Sequence, residues 1–284
     1  MKTKRKTILL TAAILAVAAV SAFLFFSLRE PALTLTEQGS GRVLARIPLG
    51  DGEEFSVTFR HSVNKSDVTE IYQRRGRTDV NIVAIAGDGA TADCGFQSLS
   101  GAAERGAKML YVCYDNEGYM NTGYQRSSTT SLGSSTSTTP AGAAINGKEQ
   151  QQKYVPLIMA MHNIEYCATA SPSNMADLVA KIQKGLEASK RGFAYLHVFS
   201  PCPTGWKFAP DQSIAVARKA VAANLCPIWE CEKGVFKLTP NRKPITIAEF
   251  VQGIGKFKKL TDAEIAAIQS MVDERWALLE KLAD

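Results

Sequence analysis

Two residues in this 284-residue chain are placed to do chemistry together, an aspartate and an asparagine 28 positions apart. Asp88 sits between Gly87 and Gly89, directly after the apolar run Asn81 to Ala86. Asn116 follows a second apolar run, Lys108 to Tyr114. A carboxylate and a carboxamide oxygen are hard donors that suit Mg²⁺ in octahedral geometry. The flanking glycines let the backbone approach an anionic ligand closely. Two diphosphate oxygens, Asp88, Asn116, one backbone carbonyl and one water would complete six positions. The bland alternative is a helix cap and a turn residue. Gly50-Asp51-Gly52 has the same letters in what reads as a plain turn, so the tripeptide alone decides nothing.

The surrounding elements must bring the pair together. Asn81 to Ala86 is a short apolar run rich in β-branched residues, as a buried parallel strand is, and Lys108 to Tyr114 reads as a second buried strand. Phe96 to Arg105 between them reads as a helix, which makes one strand–helix–strand crossover. In a parallel sheet the carboxyl ends of such strands share an edge, where ligands meet helix N-termini. Farther on, the pattern predicts a helix and strand around Val155 to Thr169, a helix from Asn174 to Ser189 and a strand from Phe193 to Phe199. A helix over Ser213 to Asn224 and a hairpin from Pro227 to Leu238 follow. Thr261-Asp262-Ala263-Glu264 is a capping box that opens a last amphipathic helix. Ser127 to Lys153 is rich in Ser, Thr, Gly and Gln and reads as a long loop too polar to bury.

The chain is 45% hydrophobic and 21% charged, which fits a globular protein with a sizeable core. Its net charge is +6, but Lys2, Lys4, Arg5 and Lys6 carry four of those charges, so nothing points to nucleic acid as a partner. Ile8 to Leu28 carries no charge and is long enough to span roughly 30 Å of hydrocarbon. With the basic residues ahead of it, it reads as a single-pass anchor over 1–30. A cleaved signal peptide is the alternative. Residues 31–75 alternate apolar and polar (Leu33 and Leu35; Val43, Ala45 and Ile47; Phe55, Val57 and Phe59), which predicts a short antiparallel β segment. The βαβ rhythm occupies 76–284. None of the six cysteines forms a C-x-x-C pair, so the chain shows no self-contained zinc or iron–sulfur motif.

From about Asp79 to Asp284 the chain resembles the thiamine-diphosphate-binding part of pyruvate:ferredoxin oxidoreductase (pyruvate synthase) β subunits. The segments GDGATADCGFQSLSGAAERG, YVCYDNEGYMNTGYQRSS and HVFSPCPTGW carry the likeness, in that order. The resemblance implies a parallel-sheet α/β domain, here truncated at its N-terminus, that binds Mg²⁺ and thiamine diphosphate for oxidative decarboxylation of pyruvate to acetyl-CoA. It implies that Asp88 and Asn116 hold Mg²⁺ through side chains and Gly118 through its carbonyl. Gly87, Asp88, Gly89, Ala90, Asn116, Gly118, Tyr119 and Asn121 would contact the cofactor, with Asn121 near the thiazolium ring as the catalytic candidate. Cys202 matches one of four cysteines that hold a [4Fe–4S] cluster. The family's other three precede the Gly-Asp-Gly strand, and here no cysteine precedes Cys94, which puts the cluster in doubt. Implied partners are α, γ and δ subunits, ferredoxin, pyruvate and coenzyme A.

Residues 31–73 resemble instead a small uncharacterised family of membrane-anchored extracytoplasmic proteins, chiefly through His61-Ser62-Val63. The second expectation is therefore a membrane-anchored extracytoplasmic protein whose thiamine domain is an inactive remnant, from a fused or truncated gene.

Overall fold

A computed structural model of the chain describes residues 32–36, 43–48, 53–60, 67–75, 79–142 and 146–284. The chain divides into two compact units, Met1–Glu54 with Gln73–Val80, and Phe55–Tyr72 with Asn81–Asp284. In the first, β1 (Ala32–Thr36) pairs antiparallel with β2 (Val43–Pro48), as the alternating pattern predicts.

An eight-stranded sheet dominates the second unit. Its strands are β3 (Glu54–Arg60), β4 (Asp67–Arg75), β5 (Asp79–Gly87), β6 (Met109–Asp115), β7 (Tyr166–Ala170), β8 (Phe193–Phe199), β9 (Trp229–Glu232) and β10 (Val235–Leu238). The spatial order is β10-β9-β7-β8-β6-β5-β4-β3. β5, β6, β8 and β7 are mutually parallel, and β9 and β10 extend the sheet antiparallel.

The connections are α1 (Phe96–Glu104), α2 (Val155–Ala160), α3 (Met175–Ser189), α4 (Ser213–Ala222) and α5 (Asp262–Ala283). Asn174 caps α3 by accepting from the Asp177 amide, and Thr261 with Glu264 forms the expected capping box at α5. Leu178, Ile182 and Leu186 of α3 lie against Leu110, Ala168, Ala194 and Leu196 on one sheet face. Their spacing is the i, i+4, i+8 stripe of a helix with one buried side. Leu99 and Ala103 of α1, Val155 and Met159 of α2 and Leu279 of α5 cover the other face. Each fully buried Leu or Met contributes roughly 1.5–3 kcal/mol. A second core joins Phe199, Trp206, Ile247, Phe250, Phe257 and Ile268.

The fold expected from sequence is corrected at its N-terminal end. Among the described residues no helix is long and apolar enough to cross a membrane, so the expected transmembrane helix, with the single-pass localisation and membrane contact read from it, has no support in the described fold. The Ile8 to Leu28 stretch itself lies outside the described residues, as does His61.

Candidate active site

The parallel strands deliver the sequence pair to one edge. Gly87 at the end of β5 pairs in register with Tyr114 of β6, so Asp88 and Asn116 emerge side by side. One terminal atom of the Asn116 carboxamide lies 3.0 Å from Asp88 Oδ1 and 2.8 Å from the Gly118 carbonyl oxygen. With nitrogen at that position the amide donates to both. With oxygen there, three hard donors converge on one point, as ligands around a small dication do. Asp88, Asn116 and Gly118 are thus brought together, and this donor set fits Mg²⁺.

Asp88 is almost fully buried. Its Oδ2 accepts hydrogen bonds from Ser127 Oγ at 2.5 Å and Thr129 Oγ1 at 2.9 Å. Burial first, and the charge of Asp115 second, push its carboxyl up to about 7. A bound dication would favour the ionised form instead.

The remaining candidates frame this point. Gly87 accepts from Thr91 Oγ1 at 2.7 Å, and Ala90 opens a short π-helical turn, Ala90–Cys94. Gly89 makes room for the Tyr119 ring, which a Cβ there would meet at 2.4 Å and push aside. The Tyr119 hydroxyl donates to the Gly89 carbonyl at 3.0 Å and to Asp93 at 3.1 Å. Asn121 is exposed to solvent. Cys202 stands apart on the loop after β8, beside Met120, Tyr124 and Gly205 in a cleft of about 420 Å³. All six cysteines are free, and among the described residues no group of three His, Cys, Asp or Glu could hold a metal.

Several residues of the site escaped the sequence reading. Asp115 accepts from the Glu117 amide and Thr129 Oγ1 and meets His197 Nε2 at 3.0 Å, and His197 Nδ1 meets the Tyr195 hydroxyl at 2.8 Å. Glu117 is buried, with a left-handed backbone at φ 60°.

In its described residues the loop from Ser127 to Lys153 is irregular, as expected, but the expectation that it is too polar to bury is wrong. Ser127, Thr129, Thr130, Ser131, Ser134, Thr136 and Lys148 are all buried. Carboxylates account for three of these seven: Ser127 and Thr129 donate to Asp88 and Ser131 to Glu117, while half-buried Ser128 donates to Asp93. Buried hydroxyls satisfied by charged acceptors no longer carry the desolvation cost that keeps polar loops outside. Lys148 Nζ closes the loop by donating to the carbonyls of Ser128, Thr130 and Gln151.

The parallel sheet with this Gly-Asp-Gly turn at its edge belongs to a thiamine-diphosphate-binding α/β domain. The family model described as thiamine pyrophosphate enzyme, C-terminal TPP binding domain, matches residues 71–198. Three curated relatives are similar over most of the chain. The NADH-dependent phenylglyoxylate dehydrogenase subunit beta of Aromatoleum evansii is 48% identical over 75% of this chain and 48% of its own length. Pyruvate synthase subunit PorB of Methanothermobacter thermautotrophicus is 45% identical over 73% and 72%. Ketoisovalerate oxidoreductase subunit VorB of Pyrococcus furiosus is 42% identical over 75% and 69%. The chain belongs to this family of 2-oxoacid:ferredoxin oxidoreductase subunits, in its thiamine-diphosphate-binding part. It spans about half the length of the phenylglyoxylate relative.

Proposed function

We propose that the chain is the thiamine-diphosphate-binding β subunit of a 2-oxoacid:ferredoxin oxidoreductase that acts on pyruvate, with magnesium held by Asp88, Asn116 and the Gly118 carbonyl. The observation that carries this is the convergence of those three oxygen-bearing groups at the carboxyl edge of β5 and β6. The thiazolium of the cofactor supplies the carbon nucleophile and electron sink for decarboxylation when bound. This chain's residues hold and orient it. Gly87, Gly89 and Ala90 offer backbone at a turn with little side-chain bulk. Tyr119 pins that turn, and Asn121 stands exposed at the end of the loop.

A [4Fe–4S] cluster does not fit the residues present. Cys202 alone does not make a four-thiolate site. The partners that follow from the reading are further subunits of the oxidoreductase, ferredoxin, pyruvate and coenzyme A. Pyruvate is the choice among 2-oxoacids because the YMNTG-x-QRSS segment resembles pyruvate enzymes, while the relatives' names span pyruvate, ketoisovalerate and phenylglyoxylate.

The test is to co-express the chain with its companion subunits and follow ferredoxin reduction with each of four acids: pyruvate, 2-ketoisovalerate, phenylglyoxylate and 2-oxoglutarate. Highest kcat/KM with pyruvate is expected. A tenfold preference for another acid refutes the substrate, and no turnover with any of the four refutes the activity.

A further inference from the structure

The metal-facing loop is held from behind by a cation that none of the site chemistry described above uses. Lys256 comes from the turn Gly255–Phe257 just ahead of α5, far along the chain from the loop. Its side chain is fully enclosed. Nζ lies 2.5 Å from Glu117 Oε2 and 3.2 Å from the centroid of the Trp206 ring. Both contacts lead to the same three-residue stretch. Glu117 stands between Asn116 and Gly118, and the Trp206 indole N–H donates to the Asn116 carbonyl at 2.9 Å.

Glu117 needs holding. Its left-handed backbone is unfavourable for a residue with a Cβ, and such conformations persist where the surroundings over-determine them. The turn has a consequence for the site, because it sets the Gly118 carbonyl within 2.8 Å of the same Asn116 side-chain atom that lies 3.0 Å from Asp88 Oδ1. Every polar group of Glu117 is engaged. Its amide donates to Asp115 at 2.8 Å and its carbonyl accepts from Thr130 Oγ1 at 2.8 Å. Oε2 also accepts from Ser131 Oγ at 2.6 Å, and Oε1 accepts from Gln152 at 3.1 Å. An enclosed carboxylate of this kind requires a counter-charge, and Lys256 is the cation within reach.

We infer that Lys256 is a positioning residue for the magnesium–diphosphate site: through Glu117 and Trp206 it locks the Asn116–Glu117–Gly118 turn in the geometry that ligates the metal. The inference rests on the proposed reading of Asp88, Asn116 and Gly118 as the magnesium site. It gives the C-terminal segment a part in cofactor binding that its distance in sequence conceals. A merely structural ion pair would stabilise the fold without setting the demand for magnesium.

The full-length chain tests this, with thermal unfolding and magnesium titration in the presence of thiamine diphosphate measured on the same samples. Lys256→Met and Glu117→Gln should each lower the melting temperature, because each leaves one buried partner uncompensated. The double variant should recover most of the stability, since a buried pair replaced by neutral groups is often well tolerated. It should still need at least tenfold more free Mg²⁺ for half-maximal cofactor binding. Trp206→Phe keeps a ring beneath the ammonium but removes the N–H to Asn116, and should raise that demand by roughly threefold to tenfold. Wild-type magnesium demand in the folded double variant overturns the inference. Should that variant not fold, wild-type demand in Trp206→Phe overturns it. Asp88→Ala separates the two levels. If it leaves binding unchanged, the magnesium reading itself fails. If it abolishes binding while the Lys256 and Trp206 variants bind normally, only the positioning role fails.

Discussion

At the scale of single residues, Asp88 carries opposing demands. Ser127 and Thr129 hydrogen bonds favour its ionised form, but burial and the neighbouring Asp115 outweigh them and raise its carboxyl to about 7 from an ordinary 3.8. The folded protein therefore keeps a proton that the unfolded chain gives up above about pH 4. The native state binds more protons between about 4 and 7, so stability from this group is greatest below about 4 and falls as pH rises to about 7. The linkage amounts to no more than ~4 kcal/mol. Chemical denaturation at a series of pH values without magnesium should show wild type losing more stability than Asp88→Asn across that window. Parallel curves for the two proteins would contradict the assignment. Magnesium should flatten the wild-type curve, because it replaces the proton as the partner of the carboxylate.

At the scale of elements, the Ser127–Lys153 loop shows what the sequence conceals. The strands β5, β6 and β8 as short apolar runs, the helices α1 and α3, and the capping box of α5 are written in local sequence and were legible. So was the pairing of Asp88 with Asn116, because parallel strands fix which ends meet. The burial of the loop was not. Its hydroxyls are polar by composition, and their carboxylate partners lie 39 and 41 residues away for Ser127 and Thr129 at Asp88. Asp115, Glu117, Lys148 and Lys256 were missed for the same reason: a charged residue looks solvated until its partner is known. Lys148 makes the point testable. Its ammonium is buried against three carbonyls, and desolvation lowers its pKa to about 8. Lys148→Met removes the donor to the Thr130 and Gln151 carbonyls, while Ser128 keeps the Lys153 amide at 2.9 Å, and should destabilise the chain by on the order of 3 kcal/mol in urea denaturation. A change under about 0.5 kcal/mol would show that the loop does not depend on it.

For the whole molecule, the sheet edge unites segments from β5, β6, the long loop and the C-terminal turn into one oxygen-rich cradle. Three carboxylates, Asp88, Asp115 and Glu117, are buried there. Lys256 compensates one and His197 meets another, while Asp88 keeps hydroxyl partners and the Asn116 amide. That imbalance is what a divalent cation would relieve. Ile8 to Leu28, read from sequence as a membrane anchor, lies outside the described residues, and the family assignment rests on 211 aligned residues at 45% identity to a pyruvate synthase subunit. The central claim is that one magnesium-bound diphosphate is gripped at the β5–β6 edge. Calorimetric titration of the full-length chain with thiamine diphosphate, with and without Mg²⁺, tests it most directly. The account predicts saturable binding that requires Mg²⁺ and is lost in Asp88→Ala. Binding that survives that substitution, or that ignores magnesium, would contradict it.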